Sequence, residues 1–196
     1  MQNLRITAGA YRGRTIKAPD GTLTHPMGSR EKMALFNSLV SLIKDKKASE
    51  SSFDGPLAGV EAVLDLFCGS GALGLEAISR GAKKVVFVDN SAAALQSIKS
   101  NISLLNVSDR TEVIKADIKN LASTSVAWQK YDLILVDPPY DNYPDSLENL
   151  EDLLEKDGIL VLSHPASVNP ASILPRLELI STKTYAAANL SFFRQK

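Results

Sequence analysis

The stretch "AVLDLFCGSGALGLEAISRGAKKVVFVD", Ala62 to Asp89, sets the fold. Its first six residues, Ala62 to Phe67, are almost continuously apolar and read as a buried strand. Gly69, Gly71 and Gly74 follow in a G-x-G-x-x-G pattern. Ala72 to Arg80 reads as a helix stopped by Gly81. "VVFVD", Val85 to Asp89, is a second strand. Strand, glycine loop, helix and strand make a βαβ unit, and such a unit requires parallel pairing. Glycines between a strand and a helix let a ligand approach the backbone closely, and the helix N-terminus offers free amides to it.

The alternation continues outward from this unit. Ser91 to Asn106 is a helix with Leu95, Ile98, Ile102 and Leu105 on one face. Thr111 to Asp117 is a third strand, with a weaker helix after it. Tyr131 to Asp137 is a fourth strand, Pro144 to Glu155 a helix, and Gly158 to Ser163 a fifth strand. Leu177 to Phe193 reads as an antiparallel strand pair at the sheet edge. Toward the N-terminus, Leu4 to Lys17 forms a hairpin around Gly9 and Gly13. Ala18 to Gly28 is turn-rich. Ser29 caps a helix whose expected apolar face is Met33, Phe36, Val40 and Ile43. Lys44 to Gly59 is polar and small, as in a surface linker. The fold class is therefore α/β: a mostly parallel, Rossmann-like sheet with an antiparallel C-terminal edge and helices on both faces. A basic hairpin and helix extension (residues 1–46), a linker (47–60) and the sheet domain (61–196) are the expected divisions. Ligands in such sheets bind at the carboxyl ends of the strands, near the switch in strand order.

The 196 residues suit one domain of ordinary size, and 44% hydrophobic content supplies a core. Acidic and basic residues balance at 22 each, but unevenly along the chain. The first 33 residues carry Arg5, Arg12, Arg14, Lys17, Arg30 and Lys32 against Asp20 and Glu31, a net charge of +4 that the remainder offsets. A basic arm on an acidic body points to a polyanion partner. Cys68 is the single cysteine, so no intramolecular disulfide is available and a reducing, cytoplasmic setting is expected. No stretch approaches the ~20 apolar residues of a membrane span, and the N-terminal residues lack a signal-peptide core. His25 and His164 are the only histidines, so no metal site is expected. Cys68 reads as a small packing residue.

Asp89, Asp117 and Asp137 each close a strand along one sheet edge. Asp89 lies 20 positions after Gly69, where an acid accepts both hydroxyls of a ribose; capping of the next helix is its plain alternative, as it is for Asp117. After the fourth strand comes Asp137-Pro138-Pro139-Tyr140. The prolines end sheet pairing and stiffen the loop. The exocyclic amine of a nucleobase is a poor nucleophile because its lone pair is delocalised into the ring. The Asp137 carboxylate and the Pro138 carbonyl can accept its two N–H bonds, aim the lone pair at an electrophile and stabilise the charge that develops. Tyr140 can stack on the base, which must leave its own stack to enter. A nicotinamide-dependent oxidoreductase would use Gly69 to Asp89 but leave this loop idle. Walker and Gly-x-Ser-x-Gly motifs are absent from the sequence.

"DLFCGSGALGLEAISRGA", "VDNS", "KAD" and "DPPY" resemble the ordered motifs of class I S-adenosylmethionine-dependent methyltransferases that act on amino groups. "LRITAGAYRGRTIKAP", "THPMGSREKMALFNSL" and "KTYAAANLSFF" resemble the RsmD family, bacterial 16S rRNA guanine-N2 methyltransferases, over nearly the whole chain. The resemblance implies methyl transfer from S-adenosyl-L-methionine to the N2 amine of a guanine in 16S rRNA, within a 30S subunit or an assembly intermediate, by a cytoplasmic monomer. It implies that Asp65 and the loop of Gly69, Ser70 and Gly71 contact the methionine moiety, that Asp89 binds the ribose, that Asp117 lies near the adenine, and that Phe67, Asn90 and Ile118 also belong to the cofactor site. The roles of Asp137, Pro138, Pro139 and Tyr140 coincide with those argued above. The chain departs from the family pattern at His25, Met27, Ser29, Ser163, where a Glu is usual, and Ala186. A DNA adenine-N6 methyltransferase would use the same loop, but the chain leaves little room for a target-recognition domain. A catalytically silent RNA-binding protein is the reading that the intact acids and glycines disfavour.

Overall fold

The computed structural model describes residues 4–19, 27–43, 55–145, 147–185 and 188–196. His25 and Ala186 lie outside them. The Ala62–Asp89 unit folds as its sequence dictates. Strand β3 (Ala62–Leu66) leads through the glycine loop to helix α2 (Ala72–Ser79) and strand β4 (Lys84–Asp89). Helix α3 (Ala92–Leu105) is capped by the Ser91 hydroxyl and closed by Asn106 in a left-handed conformation. Strands β5 (Thr111–Lys115), β6 (Tyr131–Val136) and β7 (Leu154–His164) follow, then the short helix α4 (Pro170–Ile173) and strands β8 (Leu177–Thr184) and β9 (Asn189–Gln195). Hairpin strands β1 (Leu4–Arg5) and β2 (Thr15–Ile16) and helix α1 (Ser29–Ile43) precede them.

The seven-stranded sheet has the order β5-β4-β3-β6-β7-β9-β8. Its first five strands are parallel, and β9 pairs antiparallel with both β7 and β8. β3 pairs with β4 on one side and β6 on the other, so the order reverses there and opens the crevice where such sheets take ligands. The period-2 alternation of a strand is visible in the burial. Val63, Val85, Phe87, Leu133 and Leu135 face one core with the hairpin and α1–α3. Leu64, Leu66, Val86, Val88, Ile134 and Val136 face a second core on the other side. Burial on both faces is why these strands read as unbroken apolar runs.

Five expectations need correction. Pro144 to Glu155 does not form an α-helix. A short 3-10 helix, Glu148–Leu153, leads directly into β7, which begins at Leu154; Leu147, Leu150, Leu153 and Leu154 still pack on the second core. The weaker helix after β5 is likewise two 3-10 turns, Ile118–Ser123 and Ser125–Trp128. On α1 the buried face is Lys32, Leu35, Phe36, Ser38 and Leu39, while Met33 is exposed. The α1 cap is Gly28 rather than Ser29: its carbonyl accepts the Lys32 N–H at 2.9 Å, and the Glu31 carboxylate accepts the Gly28 N–H at 3.0 Å. Finally, the expected linker is not wholly surface, because Leu57 is fully buried in the first core.

The hairpin does not form a separate body. Ile6 and Ile16 share the first core with Leu35, Phe36, Leu39 and Ile78. Its attachment is polar. Glu76 on α2 is fully buried and accepts hydrogen bonds from the Thr7 N–H (2.8 Å), the Thr7 hydroxyl (2.6 Å), the Ala8 N–H (3.0 Å) and Arg80 Nε (2.9 Å). Lys32 Nζ lies 3.3 Å from the same carboxylate and donates to the Arg5 carbonyl at 2.7 Å. Burial alone would raise the Glu76 carboxyl, but the Thr7 bonds and the two cations hold it below the usual carboxylate range. Gly9 lies against the C-terminus of α2 with φ +81°; a β-carbon there would fall 1.7 Å from the Ser79 carbonyl oxygen, so only glycine fits.

Glu76→Ala would leave Lys32 and Arg80 as uncompensated buried cations, and a loss of about 3–5 kcal/mol is expected. Urea unfolding at neutral pH checks it. Wild type is also expected to lose part of its stability on acidification, because a depressed carboxyl stabilises the fold above its unfolded pKa and that stability disappears as pH falls through the folded one.

Candidate active site

A cavity of about 590 Å3 opens at the carboxyl ends of β3, β4 and β6. The glycine loop forms one wall. Phe67, Gly69 and Gly71 all adopt left-handed backbone conformations, with φ of 56°, 51° and 76°. Phe67 is strained there, and Gly71 has no room for a β-carbon beside Ile98. Asp89 holds the loop in place. Its carboxylate accepts the Gly69 N–H and the Ser91 N–H, both at 2.9 Å. A carboxylate has about four lone-pair sites, so Asp89 retains capacity for two hydroxyls. It is half-buried and lines the cavity beside Asn90.

Asp65 at the end of β3 is buried at 1% exposure and accepts the Gly74 N–H at 2.8 Å. Burial pushes its carboxyl well above the usual range, and the neighbouring charges of Asp137 and Asp89 add to that; the Gly74 bond opposes it. Burial likewise raises the Cys68 thiol well above its ordinary value, as suits a packing residue. Asp137, Pro138, Pro139 and Tyr140 form the opposite wall. Burial raises the Asp137 carboxyl; the Ser163 side chain opposes this and the Glu31 charge reinforces it. The Tyr140 ring is 37% exposed, and its hydroxyl lies 2.9 Å from Ser163 Oγ. Tyr143 packs edge-on against it, with ring centroids 6.3 Å apart.

The structure thus brings Asp65, Phe67, Gly69, Ser70, Asp89, Asn90 and the Asp137–Tyr140 loop around one space. Gly71 shapes the loop behind it. Asp117 and Ile118 are not among the lining residues. Asp117 is exposed and accepts the Lys119 N–H at 2.9 Å, which is the helix-capping alternative. Of the basic arm, Arg5, Arg12, Arg14, Lys17 and Arg30 are exposed. Lys32 is not: it is 2% exposed and tied to Glu76 and the Arg5 carbonyl. A surface role for Lys32 is therefore replaced by a structural one. Arg12 lies in the hairpin turn, not in a strand, so the alternation of a strand does not govern where Arg12 and Arg14 point.

Three contributors escaped the sequence reading. Glu31 and Ser163 line the cavity. Asn101 on α3, fully buried, donates to the Ser70 carbonyl (2.8 Å) and the Lys17 carbonyl (2.9 Å) and accepts the Lys17 N–H (2.9 Å). It clamps the glycine loop to the N-terminal arm. A polar residue on the apolar Ile98–Ile102 face was the available signal.

A doubly wound sheet with a glycine loop and a ribose-type acid on adjacent strands, and an Asp-Pro-Pro-Tyr loop across the switch point, is the arrangement of a class I methyltransferase. The family model described as Conserved hypothetical protein 95 matches residues 4–194. Ribosomal RNA small subunit methyltransferase D of Escherichia coli K12 is 30% identical over 193 residues, covering 98% of this chain and 84% of that one. YlbH of Bacillus subtilis strain 168 is 29% identical over 198 residues, covering 98% of this chain and 100% of its own. A solved structure of a hypothetical protein from Thermus thermophilus superposes with a TM-score of 0.75 at 26% identity, covering 97% and 99% of the two chains. The chain belongs to the RsmD family of methyltransferases.

Asn101→Ala would leave the Ser70 carbonyl and the Lys17 N–H without their partner, while the Lys17 carbonyl keeps the Ser97 hydroxyl. A loss of about 1–3 kcal/mol is expected, read as a lower urea midpoint with an unchanged m-value.

Proposed function

We propose that the protein transfers the methyl group of S-adenosylmethionine to the exocyclic N2 amine of a guanine in 16S rRNA. The observation that carries this reading is that Asp89 with its glycine loop and the Asp137–Tyr140 loop line the same cavity. A cofactor seated on one side would meet an amine held on the other. The residues fit the cofactor: Asp89 has free acceptor capacity and supplies negative charge to a cation, and the backbone at Gly69 leaves space for close approach. The cofactor contributes a methyl group on a sulfonium centre, a strong electrophile. The chain contributes placement. Asp137 and the Pro138 carbonyl accept the two amine hydrogens, and the Asp137 carboxylate takes up the proton that the amine loses as its new N–C bond forms. Tyr140 gives the base a face to rest on. The choice of rRNA is supported by the name of the E. coli relative, and the choice of guanine N2 by the sequence motifs that resemble the RsmD family.

Two variants separate the halves of the site. Asp89→Ala is expected to weaken S-adenosylmethionine binding by about 1–3 kcal/mol in calorimetry. Asp137→Ala is expected to leave that affinity nearly intact while removing several kcal/mol of transition-state stabilisation in single-turnover assays. Mapping the methylated atom in rRNA tests the substrate; a methyl group on an adenine N6 in place of a guanine N2 overturns the guanine reading.

The exposed Arg5, Arg12, Arg14, Lys17 and Arg30 form the surface that would meet RNA phosphates. Replacing Arg12 and Arg14 together with Ala is expected to weaken RNA binding without changing which nucleotide is modified. It should also lower the log–log salt slope by about 1–2, read from KM across a salt series. Parallel slopes would move the RNA grip elsewhere.

A further inference from the structure

The amine-binding loop leans on a residue of the adjacent strand. β6 and β7 pair parallel with Val136 opposite Leu162, so the next residues, Asp137 and Ser163, leave adjacent strand ends side by side. Ser163 is 2% exposed and lines the cavity. Its hydroxyl lies 2.9 Å from the Tyr140 hydroxyl, and its backbone carbonyl accepts the Tyr143 hydroxyl at 3.3 Å. Both tyrosines of the loop are thus fastened to one serine.

The direction of these bonds follows from proton count. A serine hydroxyl carries one proton and two lone pairs, and an ionised carboxylate only accepts. With the Ser163 proton directed at the neighbouring Asp137, whose carboxyl the Ser163 side chain lowers, the Tyr140 hydroxyl is the donor to Ser163. Burial raises the Tyr140 phenol, which keeps that proton in place at neutral pH.

We infer that Ser163 is a positioning residue for the transfer step: its hydroxyl bridges the Tyr140 phenol and the Asp137 carboxylate, so that the ring under the target base and the acid that holds its amine are fixed as one unit. The inference rests on the reading of Asp137 and Tyr140 given above. A neutral hydroxyl can accept from Tyr140 and donate to Asp137 at once, which an ionised carboxylate in its place could not.

The test uses the full-length protein, S-adenosylmethionine and rRNA substrate, with Ser163→Ala, Ser163→Thr and Tyr140→Phe. Ser163→Ala is expected to slow single-turnover methylation about 10–100-fold, the scale of one hydrogen bond to a charged group. Its S-adenosylmethionine affinity should stay within about twofold of wild type, since each partner of the bond belongs to the amine side. The discriminating readout is the pH profile of the single-turnover rate. Asp137 works as a carboxylate, so the rate falls as pH drops through its pKa. The hydroxyl opposes the effect of burial on that carboxyl; without it the carboxyl rises and the acid limb moves to higher pH. Ser163→Thr keeps the hydroxyl and should keep the wild-type limb, as should Tyr140→Phe, in which Ser163 still reaches Asp137. The other groups facing Asp137 are Asp65 at the end of β3, Glu31 from α1, and Tyr140 and Tyr143 on the loop itself. Asp65, Glu31 and Tyr143 are unchanged in every variant, so a displacement confined to Ser163→Ala reports the hydroxyl. An acid limb in Ser163→Ala that coincides with wild type would reduce Ser163 to a packing residue. A limb displaced equally in Tyr140→Phe would assign the role to the tyrosine. Either result overturns the inference. Product mapping in wild type tests the guanine reading separately, and the profiles can be measured on whichever amine is methylated.

Discussion

A single buried carboxylate organises the half of the molecule on which the cavity depends. Glu76 is fully out of water, and such a charge is tolerated only when its lone pairs are occupied and its charge is balanced. Here the occupants come from three separate parts of the chain: Thr7 and Ala8 of the hairpin, Lys32 of α1 and Arg80 at the end of α2. Arg80 also lies over the Phe36 ring at 4.9 Å and donates to the Thr7 hydroxyl at 3.1 Å. The hairpin and α1 are thereby locked to the helix that leaves the glycine loop. Asn101 repeats the device at the other end of the loop, joining Ser70 to Lys17. The extension that looked in sequence like an appended arm is built into the wall of the site, and Met27, Glu31 and Lys32 line the cavity as a result.

The sheet was legible because burial on two faces leaves an unmistakable trace. The central strands β3, β4 and β6 are short, mainly apolar runs buried on both faces. The errors fall where two physical readings share one pattern. In Pro144 to Glu155 the leucines at 147, 150, 153 and 154 satisfy an α-helical spacing, yet i to i+3 spacing serves a 3-10 turn equally well, and the chain enters β7 at Leu154. On α1 the expected stripe holds at Phe36 and, in part, at Val40 and Ile43, which pack against the core, but fails at the exposed Met33 and omits Leu35 and Leu39. The buried Lys32 on its inner face is a cation that hydrophobicity alone assigns to solvent, and only the distant Glu76 makes its burial possible.

The candidate site divides in the same way. Residues whose role follows from local geometry were visible: Gly71 at a left-handed loop position, Asp89 at a strand end, and Asp137 before two prolines. Residues whose role arises only when two strands come together were not. Ser163 gains meaning because β7 pairs beside β6 in the register that sets it next to Asp137. Asp117, which local pattern alone ranked with Asp89, closes a strand one position farther from the switch in strand order, and its carboxylate caps the following turn through the Lys119 amide.

The charge distribution around the cavity has a consequence of its own. Asp65, Asp89 and Asp137 crowd three carboxyl groups around one space, and the Asp65 carboxyl rises chiefly through burial but also through the other two. Glu31 adds a fourth acidic side chain, while the nearest buried cation in the lining, Lys32, is already engaged by Glu76. Unrelieved, that arrangement costs stability, since like charges in a poorly solvated crevice repel strongly. On the proposed chemistry a cationic methyl donor relieves it, and the neutral thioether left after transfer does not. The same acids that favour entry of the donor therefore release the spent product more readily.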